Sequence, residues 1–187
     1  MGYTTYFDGK FTLDCPLSAE HHAYLTAFAS TRRMARDAKL TEARPDPLRA
    51  ATGLPVGEEG GYFVGEEGFR GQGLDGNRGR SASTSDVIEY NQPPSGQPEL
   101  WCQWIPTDDG AAIVWDEGEK FYYYIEWLQY IVEHFLTPWG YTLSGEVAWN
   151  GEEPADFGKI MVSSTPVNRN TVMIARGYRA YHPLETI

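Results

Sequence analysis

The chain has 187 residues, of which 41% are hydrophobic, 14% aromatic and 22% charged, with a formal net charge of −11. That composition excludes a disordered tail protein, which needs low hydrophobicity and few aromatics, and the length leaves room for one sizeable core in a single domain, 1–187. No apolar run approaches a membrane helix, no signal-peptide pattern opens the chain, and the two cysteines, Cys15 and Cys102, are not expected to make a disulfide scaffold or a four-ligand zinc site, so a soluble cytoplasmic domain is expected.

Tyr3 to Leu13 reads as an opening strand or hairpin, with Tyr6, Phe11 and Leu13 apolar and Asp8-Gly9 as a turn signal. Pro16 stops it, Ser18 is a candidate N-cap, and a helix follows with Leu17, Tyr24, Leu25 and Phe28 on one side. The arginines of Thr31-Arg32-Arg33-Met34-Ala35-Arg36 then suit either a helix C-terminus or a basic contact patch. From Asp37 to Ser85, prolines and crowded glycines predict a long loop or insertion, broken by a short strand at Tyr62-Phe63-Val64. Gly-Glu-Glu-Gly stands on both sides of that strand, at 57–60 and 65–68. Gly71-Gln72-Gly73-Leu74-Asp75-Gly76 has the letters of a dinucleotide fingerprint but lacks its strand and helix. A calcium loop starting at Asp75 and reaching Asp86 fails for want of its central glycine.

Val87 to Tyr90 begins a second ordered stretch. Leu100 to Ile105 alternates, Asp108-Asp109-Gly110 turns, and Ala112 to Trp115 returns, which predicts a hairpin. Phe121, Tyr124, Ile125, Leu128, Ile131, Val132 and Phe135 fit one helical stripe, with Tyr122, Tyr123, Glu126, Gln129, Tyr130 and Glu133 on the opposite face. Tyr141 to Trp149 and Lys159 to Ser163 predict another hairpin, and Thr171 to Ala175 a last strand. The expected fold is α+β: a mainly antiparallel sheet with two helices packed on one face, loosely ferredoxin-like, with a long glycine-rich insertion at 37–85.

Charge is unevenly spread. Residues 86–158 hold 14 acidic side chains against Lys120 alone, a field that repels nucleic acid and favours cationic partners. His21 and His22 point about 100° apart on a helix, and His134 and His182 stand alone, so no metal or cofactor is expected. The strongest constellation joins aromatics to acids. Trp115-Asp116-Glu117-Gly118-Glu119 and Trp149-Asn150-Gly151-Glu152-Glu153 each close a predicted strand with a tryptophan and carboxylates, and Asp156 follows. Such a rim has three readings: solvated turns, a surface for a basic protein, or a carboxylate pair for acid–base or divalent-metal chemistry. Tyr122, Tyr123 and Tyr130 suit an interface and suit packing under the glycine-rich loop equally.

Four pieces within 86–162 are distinctive: Tyr90-Asn91-Gln92-Pro93-Pro94, Gln97-Pro98-Glu99-Leu100-Trp101-Cys102-Gln103-Trp104, Trp115-Asp116-Glu117-Gly118-Glu119-Lys120-Phe121-Tyr122 and Gly145-Glu146-Val147-Ala148-Trp149-Asn150-Gly151-Glu152. With Thr31-Arg32-Arg33-Met34, they resemble a group of short uncharacterised proteins of bacteria and their phages. The resemblance carries over no functional residues. It implies an accessory or host-interaction role, here expected as binding of a basic protein partner without catalysis, membrane or direct nucleic-acid contact. The alternatives are a small carboxylate enzyme or metal protein, and a self-associating virion or assembly component.

Overall fold

The computed structural model describes residues 2–65, 85–164 and 171–176. Two compact units emerge, one from residues 1–17 with 103–187 and the other from 18–102. The expected α+β class, with a mainly antiparallel sheet, is what the first unit presents. Its strands are β1 (Tyr6–Leu13), β4 (Trp104–Pro106), β5 (Ala112–Trp115), β6 (Leu143–Asn150), β7 (Phe157–Ser163) and β8 (Thr171–Arg176). They lie in the order β4-β5-β1-β6-β7-β8 with every neighbouring pair antiparallel. The two hairpin groups are thus sequential, and β1 is inserted between them.

β1 is one continuous strand, and the Asp8-Gly9 turn expected inside it is absent. Gly9 is needed for a different reason. Its φ is +114° and a Cβ there would lie 2.9 Å from the Glu146 carbonyl oxygen; Gly145, on β6 opposite Phe11, has φ +129° and would meet the Lys10 carbonyl oxygen at the same distance. The two backbones approach too closely for side chains, so glycine here serves strand pairing. Further along, Phe11 and Leu13 alternate inward while Lys10 and Thr12 face solvent.

The helix of this unit, Tyr124–Ile131, starts three residues later than its apolar stripe. It runs on into a π-helical turn, Val132–Leu136, closed by the Thr137 amide on the Val132 carbonyl at 2.9 Å. The wider turn brings Leu136 into the core beside Phe135, and Trp127, on the helix itself, is buried as well. Around them Phe11, Trp104, Ile113, Leu143, Trp149 and Ile160 complete an aromatic-rich interior.

In the second unit α1 (Ala19–Ser30) is capped by Ser18, whose hydroxyl accepts from the His21 amide, and it buries Tyr24, Leu25 and Phe28. Of the two helices expected to cover the sheet, α1 therefore belongs to the unit that lacks it. A two-stranded ladder joins β2 (Ala35–Arg36) to β3 (Val87–Glu89). Inside the expected loop stand two five-residue helices, α2 (Ala38–Glu42) and α3 (Pro47–Ala51), and a 3-10 turn, Glu58–Gly60. Asp37 and Asp46 cap the two helices, and Pro47 occupies the first turn of α3, where its missing N–H costs nothing. No strand forms at Tyr62-Phe63-Val64, although Phe63 and Val64 are buried. The glycine fingerprint at 71–76, most of the calcium-loop template, the second Gly-Glu-Glu-Gly beyond Gly65, and His182 lie outside the described residues.

Candidate functional site: an aromatic and acidic rim at one end of the sheet

Strands β5 and β6 both run antiparallel to β1, so their C-terminal ends emerge at the same end of the sheet, beside the start of β1. This brings the 116–123 loop and the 151–156 loop to one edge. The N-terminal residues join them. The Tyr3 amide donates to the Tyr122 hydroxyl at 3.3 Å, the Tyr3 hydroxyl donates to Asp156 Oδ2 at 2.6 Å, and the Thr4 amide donates to Glu152 Oε1 at 2.8 Å. Gly151 leaves the space for this strap, since a Cβ there would sit 2.1 Å from the Tyr3 hydroxyl. The hydrogen bond to Asp156, more than desolvation, raises the Tyr3 phenol above its ordinary range.

Within the first loop, Asp116 Oδ1 accepts from the Gly118 amide at 2.8 Å. Desolvation of that folded-back carboxyl pushes its pKa up, although the residue's outer surface is open. Trp115 Nε1 donates to Gln103 Oε1 at 3.0 Å, and Gln103 Nε2 donates to the Glu119 carbonyl at 2.9 Å, so ring and loop are fixed together. The Trp115 ring meets Tyr6 edge-on at 6.1 Å. Three non-glycine residues here, Glu117 (φ 65°), Lys120 (φ 59°) and Tyr123 (φ 54°), hold left-handed backbone. For side chains this large that conformation is unfavourable and persists only when surroundings impose it. Tyr123 itself is 54% accessible, and the neighbouring rings of Tyr122 (43%) and of Tyr6 on strand β1 (56%) are exposed as well.

The rim thus gathers Trp115, Asp116, Glu117, Glu119, Tyr122, Tyr123, Glu152, Glu153 and Asp156 in one unit, with Glu126 exposed on the first turn of the helix. Two expected members do not belong. Trp149 is 2% exposed, on a central strand paired with β1 and β7, and its ring packs against Tyr124 at 6.2 Å. Tyr130 is 8% exposed, because its ring stacks on His134 at 4.1 Å and meets Trp127 and Phe135 edge-on. Two members were missed. Tyr6 shares its strand face with Asp8, Lys10 and Thr12, so period-two alternation already marks it as outward. Tyr3 has no sequence signal, since its role depends on a contact 153 residues away. Among the described residues, no group of three or more His, Cys, Asp or Glu could hold a metal ion. The carboxylates are instead spread along the rim and partly engaged by backbone donors.

The second unit holds a different constellation. Arg33 and Arg36 are buried, which fits neither a helix C-terminus nor a basic contact patch: α1 has already ended at Ser30. Asp86 Oδ2 accepts from Arg36 Nη1 at 2.6 Å and Thr41 Oγ1 at 3.1 Å, while Oδ1 takes Arg44 Nη1. Arg33 donates to the carbonyls of Gly61 and Phe63 and to Gln97 Oε1. Buried Asp46 accepts from Arg49 and from the Val64 amide. These pairings tie segments far apart in sequence and give the charges an internal, structural role.

No family model, curated protein or solved structure matches this chain. No helix among the described residues is long and apolar enough to cross a membrane.

Proposed function

We propose that the protein is an acidic, non-catalytic binding module that docks a basic protein partner on the rim formed by the 116–123 and 151–156 loops. The observation that carries this reading is the exposure of Tyr6, Tyr122 and Tyr123 among open carboxylates, with Glu117 and Tyr123 held on left-handed backbone. Rigid aromatic area at the centre with charge around it is how small interfaces concentrate binding energy, and the rim's own carboxylates, Asp116, Glu117, Glu119, Glu152, Glu153 and Asp156, outweigh Lys120 and steer a basic partner toward it. Neither cofactor nor direct nucleic-acid contact enters this reading. The resemblance to short bacterial and phage proteins supports an accessory or host-interaction role, such as inhibiting a basic nucleic-acid-binding protein by acidic mimicry.

Charge reversal tests it. Glu117, Glu119 and Glu153 are exposed and make no side-chain hydrogen bond that shapes the strap, unlike Glu152 and Asp156. Glu117→Lys, Glu119→Lys and Glu153→Lys combined should lower the affinity for the captured partner about a hundredfold at low salt, with the melting temperature unchanged. Unchanged affinity would remove the rim from the interface.

A further inference from the structure

Resting on the rim as a docking surface for cations, we propose that it selects arginine over lysine by stacking the guanidinium plane on the exposed Tyr6 ring, at the corner it makes with Trp115. The two rings are in edge-to-face contact, 6.1 Å apart at 86°, so a planar group can lie flat on only one of them. Tyr6, 56% exposed, is the open one, since the Trp115 ring also packs on Phe7 at 5.4 Å. The corner is preorganised. Tyr6 is carried by the paired strand β1, and the Trp115 ring is held by its Nε1 hydrogen bond to Gln103. Directly beyond Trp115 the chain supplies Glu117, an exposed carboxylate on left-handed backbone, while Asp116 is engaged with the Gly118 amide.

Guanidinium and ammonium differ in what they can do there. A guanidinium lies flat on an aromatic face and still presents its edge N–H groups to a carboxylate. An ammonium is compact and strongly hydrated, so it gives up more water for one contact at a time. The second unit displays a related combination, with an amide oxygen in place of the carboxylate: the Arg32 guanidinium lies 4.2 Å over the Tyr90 ring while its Nη2 donates to Asn91 Oδ1 at 3.0 Å.

The test is calorimetric titration of the full chain with octa-arginine, octa-lysine and an uncharged Gly-Ser octapeptide. The expected result is octa-arginine binding about tenfold tighter than octa-lysine, with the uncharged peptide silent. Tyr6→Leu should abolish the difference and Tyr6→Phe should keep it, since a phenyl face suffices. Equal affinities for the two basic peptides would overturn arginine selection while leaving the cation-docking rim intact. Absence of binding by both would overturn selection and rim together. An arginine preference that survives in Tyr6→Leu would overturn the assignment to this corner.

Discussion

Asp86 receives Arg36, Arg44 and Thr41 in the interior of the second unit, and its loss would leave two guanidiniums without their shared carboxylate. Removing one partner of a buried ionic cluster typically costs about 3–5 kcal/mol, because the remaining charge stays desolvated. Asp86→Asn should therefore lower unfolding free energy by roughly that amount, read from urea denaturation. The pH dependence follows from the sign of the shift. Burial pushes the Asp86 carboxyl up, but Arg36, Arg44 and Thr41 together outweigh it and leave the folded pKa below the ordinary value. Protons thus bind the unfolded state more readily, so the stabilisation is fully present above about pH 4 and is lost as pH falls through the lower folded value. Urea midpoints of the wild type should show this acid-dependent component, and those of Asp86→Asn should lack it.

At the scale of elements, the 116–123 loop is the segment most at odds with its own backbone preferences. Replacing a non-glycine residue in left-handed conformation by glycine relieves about 1 kcal/mol. Tyr123 is exposed and caps the helix with no side-chain hydrogen bond. Tyr123→Gly should thus raise stability by about that amount while weakening partner binding several-fold, a pairing of gains and losses expected where strain serves function. Equal or lower stability together with unaltered binding would reduce the strain to a local accident. The sequence shows much of this architecture and little of the strain. Ser18, the 108–110 turn and the helical stripe announced themselves because capping, turning and amphipathic packing act over a few residues. The late helix start, the π-helical turn and the burial of Tyr130 did not, because tertiary packing around Trp127 and Phe135 decides them. Asp37 and Asp46 did stand before the short helices, but the surrounding glycines and prolines obscured them.

For the molecule as a whole, charge sorts by sequence segment and by environment. Among the described residues of the second unit, Arg33, Arg36, Arg44 and Arg49 turn inward, where Asp46, Asp86 and backbone carbonyls receive them. In the first unit Asp116, Glu117, Glu119, Glu152 and Glu153 are exposed together on the rim, and Asp8, Asp14, Asp108, Asp109, Glu133 and Glu146 are exposed elsewhere. The grouping of Trp115, the two acidic loops and the exposed tyrosines was partly legible: the strand ends were recognisable, and antiparallel pairing to β1 put them at one edge. Trp149 misled because a tryptophan closing a strand looks the same whether it faces core or solvent. The most direct measurement is photocrosslinking in host lysate, with a photoreactive phenylalanine placed at Tyr123 and, as control, at Ile88, an exposed apolar residue of the second unit. The expected result is one discrete adduct to a basic protein from position 123 at low salt, reduced at moderate salt and absent from position 88. No adduct from position 123, or the same adduct from both positions, would contradict the rim as the binding surface.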